Sequence, residues 1–217
     1  AMIRTALILA AAAGTANASI QITEWKYSGE GAEFFELTNT GAAAIDVTGW
    51  SYDDSSRISS PSDATGSSGN ALDLSSFGLI QPGESVVIHE DDDFVFRLDW
   101  SLPTSVRTIA GFENNLGRND EINVYNAAGD LVDRLTYGDG DFPGTIRTND
   151  ARGNPLTLAA LGVNDVAQWT LSSEGDLRGS YKSGAGDIGN PGIFQIPTPA
   201  SAALLGLAGL GGARRRR

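Results

Sequence analysis

EINVYNAAGDLVDRLTY, from Glu121 to Tyr137, is the stretch of this 217-residue sequence that most directly decides the fold. Its two halves, Glu121 to Tyr125 and Leu131 to Tyr137, alternate apolar and polar residues with the period of two that is typical of a β-strand. A short link that contains Gly129 joins the halves. The stretch therefore predicts a β-hairpin.

Two more alternating stretches lie towards the amino end. Ser19 to Tyr27 predicts a strand whose Ile20, Ile22 and Trp25 point into a core. Glu33 to Asn39 predicts a second strand, separated from the first by a glycine-containing turn. Together with the hairpin, these stretches indicate that the chain forms sheets.

One stretch between the predicted strands favours a helix. The acidic run Asp91 to Asp93 precedes the apolar stretch Phe94 to Trp100, and Pro103 stands just beyond it. Acids at this position can cap a helix and complement its positive amino end. We therefore expect a short helix in which Phe94 and Leu98 fall at helical spacing, although the alternation of the same stretch fits a strand equally well.

The number of short strands decides the fold class. Many short strands, regular turns and few helix-like stretches predict an all-β protein, a β-sandwich with long loops. Trp50 is expected at the centre of its core, and Gln168 to Leu171 as its last strand. Asp53 to Asn70 and Gly175 to Gly192 are rich in Gly, Ser and Asp and are predicted to be loops.

Composition limits the classes of function. The chain has 27 acidic and 15 basic side chains, a formal charge of −12 at pH 7, and every acid lies between Ser19 and Ile196. So acidic a body repels nucleic-acid phosphates and suits divalent cations, basic surfaces or neutral glycans. There is no cysteine, which excludes disulfides and thiol catalysis. His89 is the only histidine, which excludes a zinc site with several histidine ligands.

The amino end has the pattern of a secretory signal peptide. Arg4 precedes the apolar run Ala6 to Ala13, and the small residues Ala16 and Ala18 follow. The run is shorter than the about 20 apolar residues that cross a bilayer. We expect cleavage after Ala18, so that the exported chain begins at Ser19.

The carboxyl end combines an apolar stretch with a basic terminus. Ala200 to Ala213, 14 residues, would span about 21 Å as a helix, less than the roughly 30 Å of a hydrocarbon core. It could therefore cross only a thin or deformed bilayer, with the terminal arginines on the cytoplasmic side. The flanking residues that define the segment are Pro197, Thr198, Pro199, Arg214, Arg215, Arg216 and Arg217.

This segment resembles a PEP-CTERM sorting signal. The resemblance implies processing by an exosortase-type membrane enzyme in bacteria that produce exopolysaccharide. Thr198 stands where the usual motif has Glu, which puts processing by the standard enzyme in doubt.

The body carries a second resemblance. The stretches ITEWKYSGEGAEFFELTN, IDVTGW, PGE and LGRNDEINVYNAAGDLVDRLTYGD occupy Ile22 to Asn39, Ile45 to Trp50, Pro82 to Glu84 and Leu116 to Asp139. In this combination they resemble the bacterial lamin-tail domain. The resemblance implies an immunoglobulin-like β-sandwich that serves as an interaction module without shared catalytic residues.

Several side chains are candidates for chemistry. Glu33 and Glu36 could form a carboxylate pair for glycoside hydrolysis, but their spacing of three places them on opposite faces of a strand. His89 could act with a serine, although no Gly-x-Ser-x-Gly elbow is present. No EF-hand spacing is present, and the candidates for Ca²⁺ are Asp91, Asp92, Asp93, Asp139 and Asp141.

These observations predict a three-part chain: a signal peptide over 1–18, a lamin-tail-like sandwich over 19–196, and a sorting segment over 197–217. We expect an exported, non-catalytic protein, held by the membrane in transit, which then binds glycan or protein at the cell surface or in the extracellular matrix. Two alternatives stay open. One is an extracellular hydrolase of polysaccharides or phosphoesters with catalytic residues in its loops, and the other is a Ca²⁺-dependent adhesin.

Overall fold

A computed structural model describes residues 20–54, 71–113, 115–138 and 142–195. The predicted signal and sorting segments lie outside these residues, as does most of the Asp53 to Asn70 loop. Within them, the structure is built from strands and one short α-helix. None of the helices in these ranges is long and apolar enough to cross a membrane.

The elements are numbered in chain order. The strands are β1 (Ile20–Lys26), β2 (Phe34–Asn39), β3 (Ile45–Asp46), β4 (Ser51–Asp53), β5 (Leu72–Asp73), β6 (Leu79–Ile80), β7 (Ser85–His89), β8 (Arg107–Ala110), β9 (Asp120–Tyr125), β10 (Leu131–Tyr137), β11 (Gly153–Pro155), β12 (Trp169–Leu171), β13 (Tyr181–Lys182) and β14 (Ile188–Gly189). The α-helix α1 covers Asp93–Asp99, and 3₁₀ turns cover Ser75–Phe77, Leu158–Ala160 and Val166–Gln168.

Two main sheets pack against each other. Six strands form one sheet in the order β12-β11-β1-β2-β7-β8, and four form the other in the order β10-β9-β4-β5. The predicted hairpin is confirmed as β9 and β10, which pair from Tyr125 opposite Leu131 to Asp120 opposite Tyr137. Neighbouring strands are antiparallel except β7 and β8, which run parallel because α1 connects them. The predicted β-sandwich is confirmed.

The alternation of side chains along β1 and one β-bulge in this strand determine which of its residues point into the core of the sandwich. The register of β1 on β2 shifts between Ile22 and Glu24, so the extra residue Thr23 brings Trp25 to the same face as Ile22. This face meets the four-stranded sheet in a single apolar cluster that includes Ile122, Val124, Leu135 and Tyr137. The Trp25 ring lies 4.0 Å from the ring of Tyr137, centroid to centroid, in a stacked arrangement. The inward direction predicted for Ile22 and Trp25 is therefore confirmed.

The opposite face of the six-stranded sheet is covered by α1 and by part of residues 142–195, which we call the C-terminal segment and which also supplies β11 and β12 of the sheet itself. Helix α1 begins where the acids predicted it, because Asp92 accepts hydrogen bonds from the backbone N–H groups of Phe94 and Val95. Phe96 of α1 and Trp100 pack edge-on against Phe34 of β2. Both faces of the six-stranded sheet are thus buried.

Helical spacing did not identify the buried side of α1: Phe94 and Leu98 are 73% and 68% exposed, and Phe96 faces the sheet instead. Other sequence predictions are wrong. Trp50 is only partly buried, since it stands before β4 in a turn closed by its N–H bond to the carbonyl of Val47. The predicted loop Gly175 to Gly192 contains the hairpin of β13 and β14. The strand predicted over Gln168 to Leu171 is confirmed as β12, but it is not the last strand, because β13 and β14 follow it.

Candidate functional site

An open polar cleft lies where three loops meet at one end of the sandwich. Its volume is about 410 Å³. The loops follow β1, precede β9 and belong to the first part of the C-terminal segment. The side chains that line this polar cleft are Tyr27, Ser28, Glu33, Leu116, Arg118, Arg147 and Asn149.

The end of β1 anchors one wall of the polar cleft. The backbone N–H of Tyr27 donates to the hydroxyl of Thr148 over 3.3 Å, and Thr148 is fully buried. Its neighbours Arg147 and Asn149 are exposed and line the cleft. One buried threonine thus presents two polar side chains to the cleft.

Glu33 holds the second wall in place. One of its carboxylate oxygens, Oε2, accepts a hydrogen bond from the N–H of Leu116 over 2.8 Å, which fixes the loop before β9. The N–H of Glu33 in turn donates to Oε1 of Glu90 over 2.9 Å. Partial burial, reinforced by the nearby charge of Glu90, raises the pKa of Glu33 to about 7. The carboxyl group of Glu33 therefore exchanges its proton near neutral pH.

Arg118 sits at the tip of the loop before β9. A carboxylate oxygen of Asp120 accepts a hydrogen bond from the N–H of Gly117 over 2.6 Å, which tightens that loop. The side chains of Arg118 and Arg147 are both exposed. Two guanidinium groups, a hydroxyl, a phenol and an amide thus line one opening, which suits a polar or anionic ligand.

The residues predicted as weak Ca²⁺ candidates have other contacts. Asp92 caps α1. Asp93 accepts hydrogen bonds from Nε of Arg97 over 2.7 Å and from the hydroxyl of Thr108 over 2.5 Å. Asp91 is partly buried beside them. Among the described residues, no group of three or more His, Asp or Glu side chains is arranged to hold a metal ion.

The other predicted site residues lie outside the described part of the chain. This applies to Asp139 and Asp141, and it applies to every residue of the cleavage and sorting signals: Ala16, Ala18, Ser19, Pro197, Thr198, Pro199, Arg214, Arg215, Arg216 and Arg217.

The residues of the hydrolase alternative are not brought together. His89 is fully buried with its ring stacked on Phe96 at 4.0 Å, and burial lowers its pKa. Glu36 is also buried, where its carboxylate accepts hydrogen bonds from the hydroxyl of Thr23 and the N–H of Gly192. Glu33 lines the polar cleft instead. The spacing argument against a Glu33–Glu36 pair agrees with this arrangement.

Sequence reasoning missed a cluster of buried ionisable groups between the six-stranded sheet and the C-terminal segment. We call it the ionic layer; it comprises Glu24, Lys26, Glu36, Arg152 and Asp187, all of them at most 2% exposed. Lys26 forms a salt bridge with Asp187. Nη1 of Arg152 lies 3.6 Å from Oε1 of Glu24. The charged residues at alternate positions of β1, Glu24 and Lys26, were the available signal, since this pattern predicts a polar face.

Arg152 is the centre of the ionic layer. Its guanidinium carbon lies 3.6 Å from the ring centroid of Phe34 and 3.6 Å from that of Trp100, so that two aromatic rings enclose the charge. Burial lowers the pKa of Arg152 to about 10, and the group stays cationic at pH 7. Burial also raises the pKa of Glu24, while Arg152 opposes this shift. The layer holds the C-terminal segment on the sheet.

Comparison with known proteins assigns most of the described fold to one family. Residues 13–139 match the family described as Lamin Tail Domain. Domains of this family are immunoglobulin-like and typically have binding or structural roles rather than catalytic ones. Searches among curated proteins and among solved structures find no match to this chain.

Proposed function

We propose, from the premise that this chain belongs to the lamin tail domain family, that it is a non-catalytic binding protein of the cell surface or extracellular matrix. The observation that carries the proposal is the polar cleft, which offers hydrogen-bonding and charged side chains from three loops at one end of a rigid sandwich. A surface glycan or protein is the proposed ligand. The proposal invokes no metal and no cofactor.

Export is the second part of the proposal. The pattern of residues 1–18 supports a signal peptide that is cleaved before Ser19. The sequence of residues 197–217 supports a transient membrane anchor that an exosortase-type enzyme removes, with the body outside and the arginines inside. The sandwich would then reach the cell surface or the matrix as the mature protein.

A glycan and protein array tests the binding role. We expect the purified full chain to bind a subset of the array and Ser28→Trp, which fills the polar cleft, to abolish that binding. Ser105→Trp is the matched control, because Ser105 is equally exposed and lies outside the cleft. Binding that survives Ser28→Trp, or a wild-type chain that binds no glycan and no protein, would show that the cleft is not the binding site.

The same protein separates binding from catalysis. We expect no turnover on a panel of polysaccharide and phosphoester substrates. Robust turnover that is lost in Glu33→Gln would favour the hydrolase alternative, since Glu33 is the acid that lines the cleft among the described residues.

The intact mass of the protein from its host tests export. We expect a mass that starts at Ser19 and lacks the segment after Ile196. A chain that retains both ends would refute the processing.

A further inference from the structure

We infer that the polar cleft binds an acidic saccharide, a sugar chain whose carboxylate lies between Arg118 and Arg147. This inference rests on the proposed function and names the ligand class of the same site. Its basis is the combination of two guanidinium groups with an otherwise polar lining in a protein of opposite charge.

The charge of the cleft differs from that of the chain. The formal net charge is −12, yet the lining of this one opening holds two basic side chains, Arg118 and Arg147, and one acidic side chain, Glu33. Arg118 comes from the loop before β9 and Arg147 from the C-terminal segment, so the fold brings them together from distant parts of the sequence. A guanidinium group presents paired donors that match the two oxygens of a carboxylate. The two arginines therefore favour a ligand with carboxylate groups over a neutral one.

The rest of the lining favours a sugar over an acidic peptide. Ser28 and Asn149 offer a hydroxyl and an amide, groups that can both donate to and accept from sugar hydroxyls. Leu116 is the apolar lining residue and is only 2% exposed. An extended peptide draws specificity from pockets for its side chains, and the described lining offers no apolar pocket of that kind. A polyhydroxylated ligand can replace its hydrogen bonds to water with hydrogen bonds to this lining, whereas the apolar side chains of a peptide would find no pocket in it.

Glu33 gives the binding a pH dependence. When ionised, its carboxylate lies in the same cleft as the carboxylate of the ligand and repels it. Near it are Glu90 and Asp120, which raise its pKa, and Lys26, which lowers it. Protonation of Glu33 below about pH 7 removes one negative charge from the lining and leaves both arginines cationic. Binding of an acidic saccharide should therefore strengthen as the pH falls from 8 to 6.

Titration calorimetry of the full chain with trigalacturonate tests the ligand class. At pH 6 we expect trigalacturonate to bind at least about tenfold more tightly than neutral galactotriose. Arg118→Gln and Arg147→Gln should each lower the affinity for trigalacturonate by about tenfold, because each removes one charge-assisted contact. Lys182→Gln, an exposed charge on β13 outside the cleft, should leave the affinity unchanged.

Three results would overturn the inference. Equal affinity for the two saccharides, with no effect of the arginine variants, would reject an acidic ligand; if Ser28→Trp still abolished binding, the proposed function would stand. Triglutamate bound as tightly as trigalacturonate, with the same arginine dependence, would identify an acidic peptide as the ligand. No binding of trigalacturonate by the wild-type chain would reject the inference, and the array would decide separately on the binding role.

The pH dependence of the affinity for trigalacturonate is a second test, independent of the arginine variants. We expect the wild-type affinity for trigalacturonate to be several-fold higher at pH 6 than at pH 8. Glu33→Gln should raise the pH 8 affinity to the pH 6 level, since an amide carries no charge at either pH. A Glu33→Gln variant with an unchanged pH dependence would show that Glu33 does not face the ligand. Equal melting temperatures of the variants would exclude misfolding as the cause.

Discussion

The two faces of the six-stranded sheet are both buried, and they are buried by different means. One face presents Ile22, Trp25 and Leu37 to the apolar core of the sandwich. The other presents Glu24 and Lys26 of the ionic layer to α1 and the C-terminal segment. Apolar burial is non-directional and roughly proportional to area. Buried charges are stable only beside particular partners.

This difference gives the two faces different roles. The apolar face supplies most of the driving force for folding. The ionic layer fixes one arrangement of the C-terminal segment, because its acids accept hydrogen bonds from particular backbone groups. The N–H of Asn190 donates to Glu24 over 3.1 Å, and the N–H of Gly192 donates to Glu36 over 2.7 Å. The segment that is fixed in this way also carries Arg147 and Asn149 into the polar cleft.

The largest expected effect comes from removal of the C-terminal segment. A chain that ends at Gly138 lacks β11, β12 and the core residue Trp169 as well as Arg152 and Asp187, and it exposes Phe34. We therefore expect it to lose the whole free energy of unfolding, roughly 5–15 kcal/mol for a domain. Urea denaturation followed by circular dichroism measures this loss. A chain that ends at Gln195 is the control and should unfold cooperatively. A cooperative transition of the shorter chain at the wild-type midpoint would show that the C-terminal segment is dispensable.

Single substitutions on the two faces should be similarly damaging. Trp25→Ala removes a fully buried ring from the apolar face and is expected to cost about 3–5 kcal/mol of unfolding free energy. Arg152→Ala leaves Glu24 buried without its counter-charge and is expected to cost about 3–5 kcal/mol at pH 7. Denaturation midpoints measure both. A cost below about 1 kcal/mol for Arg152→Ala would contradict a central place for this residue.

The two faces should differ in whether a second substitution recovers the lost unfolding free energy. Glu24→Gln combined with Arg152→Met removes both charges and keeps an apolar side chain between Phe34 and Trp100, so most of the loss at Arg152 should be recovered. The glutamine oxygen can still accept the N–H of Asn190. We expect no single second substitution to recover the loss in Trp25→Ala, since that loss is a cavity. Additive effects of the two changes at Glu24 and Arg152 would show that these charges do not interact.

A smaller effect concerns pH. Burial, and then the charge of Glu24, raises the pKa of Glu36 to about 8, above its ordinary 4.5. The folded state thus holds a proton that the unfolded state has released, and stability is expected to fall as the pH rises from 4.5 to 8. Glu36→Gln, which mimics the protonated group, should flatten this fall by an amount on the order of a few kcal/mol. Thermal unfolding at pH 5 and pH 8 measures it, and a fall of equal size in both proteins would exclude Glu36 as the cause.

The smallest effect is expected on the outer side of α1. Phe94→Ala and Leu98→Ala remove exposed side chains and should change the unfolding free energy by less than about 0.5 kcal/mol. Phe96→Ala, on the buried side of the same helix, is the matched control and should cost about 3–5 kcal/mol. A large loss at Phe94 would mean that another part of the chain covers it.

Local patterns predicted most of the sandwich. The hairpin of β9 and β10 follows from the alternation of apolar and polar residues, and the start of α1 follows from one capping residue. A short stretch of sequence contains each of these signals. The strand β11 was missed because Gly153-Asn154-Pro155 has no strand-like pattern, and β1 imposes its conformation. Phe94 and Leu98 fall at helical spacing, but this spacing identifies a stripe of the helix and does not say which side the sheet covers.

The site was harder to predict than the fold. Glu33 was singled out as an acid. Arg118 lies in a stretch that carries the lamin-tail resemblance, but neither Arg118 nor Arg147 belongs to a pattern that indicates ligand binding. The ionic layer depends on contacts such as that between Asn190 and Glu24, which are 166 positions apart. Such contacts follow from the tertiary fold, and no local pattern of the sequence carries them.

The most direct test of the central claim is a map of amide chemical shifts during titration of the full chain with trigalacturonate. The claim is that the lamin tail domain and the C-terminal segment together form one binding cleft. We predict shifts on both sides of it, at Glu33 and Arg118 and at Arg147 and Asn149. Shifts confined to one side, shifts centred on the exposed face of α1, or no shifts at all would contradict it.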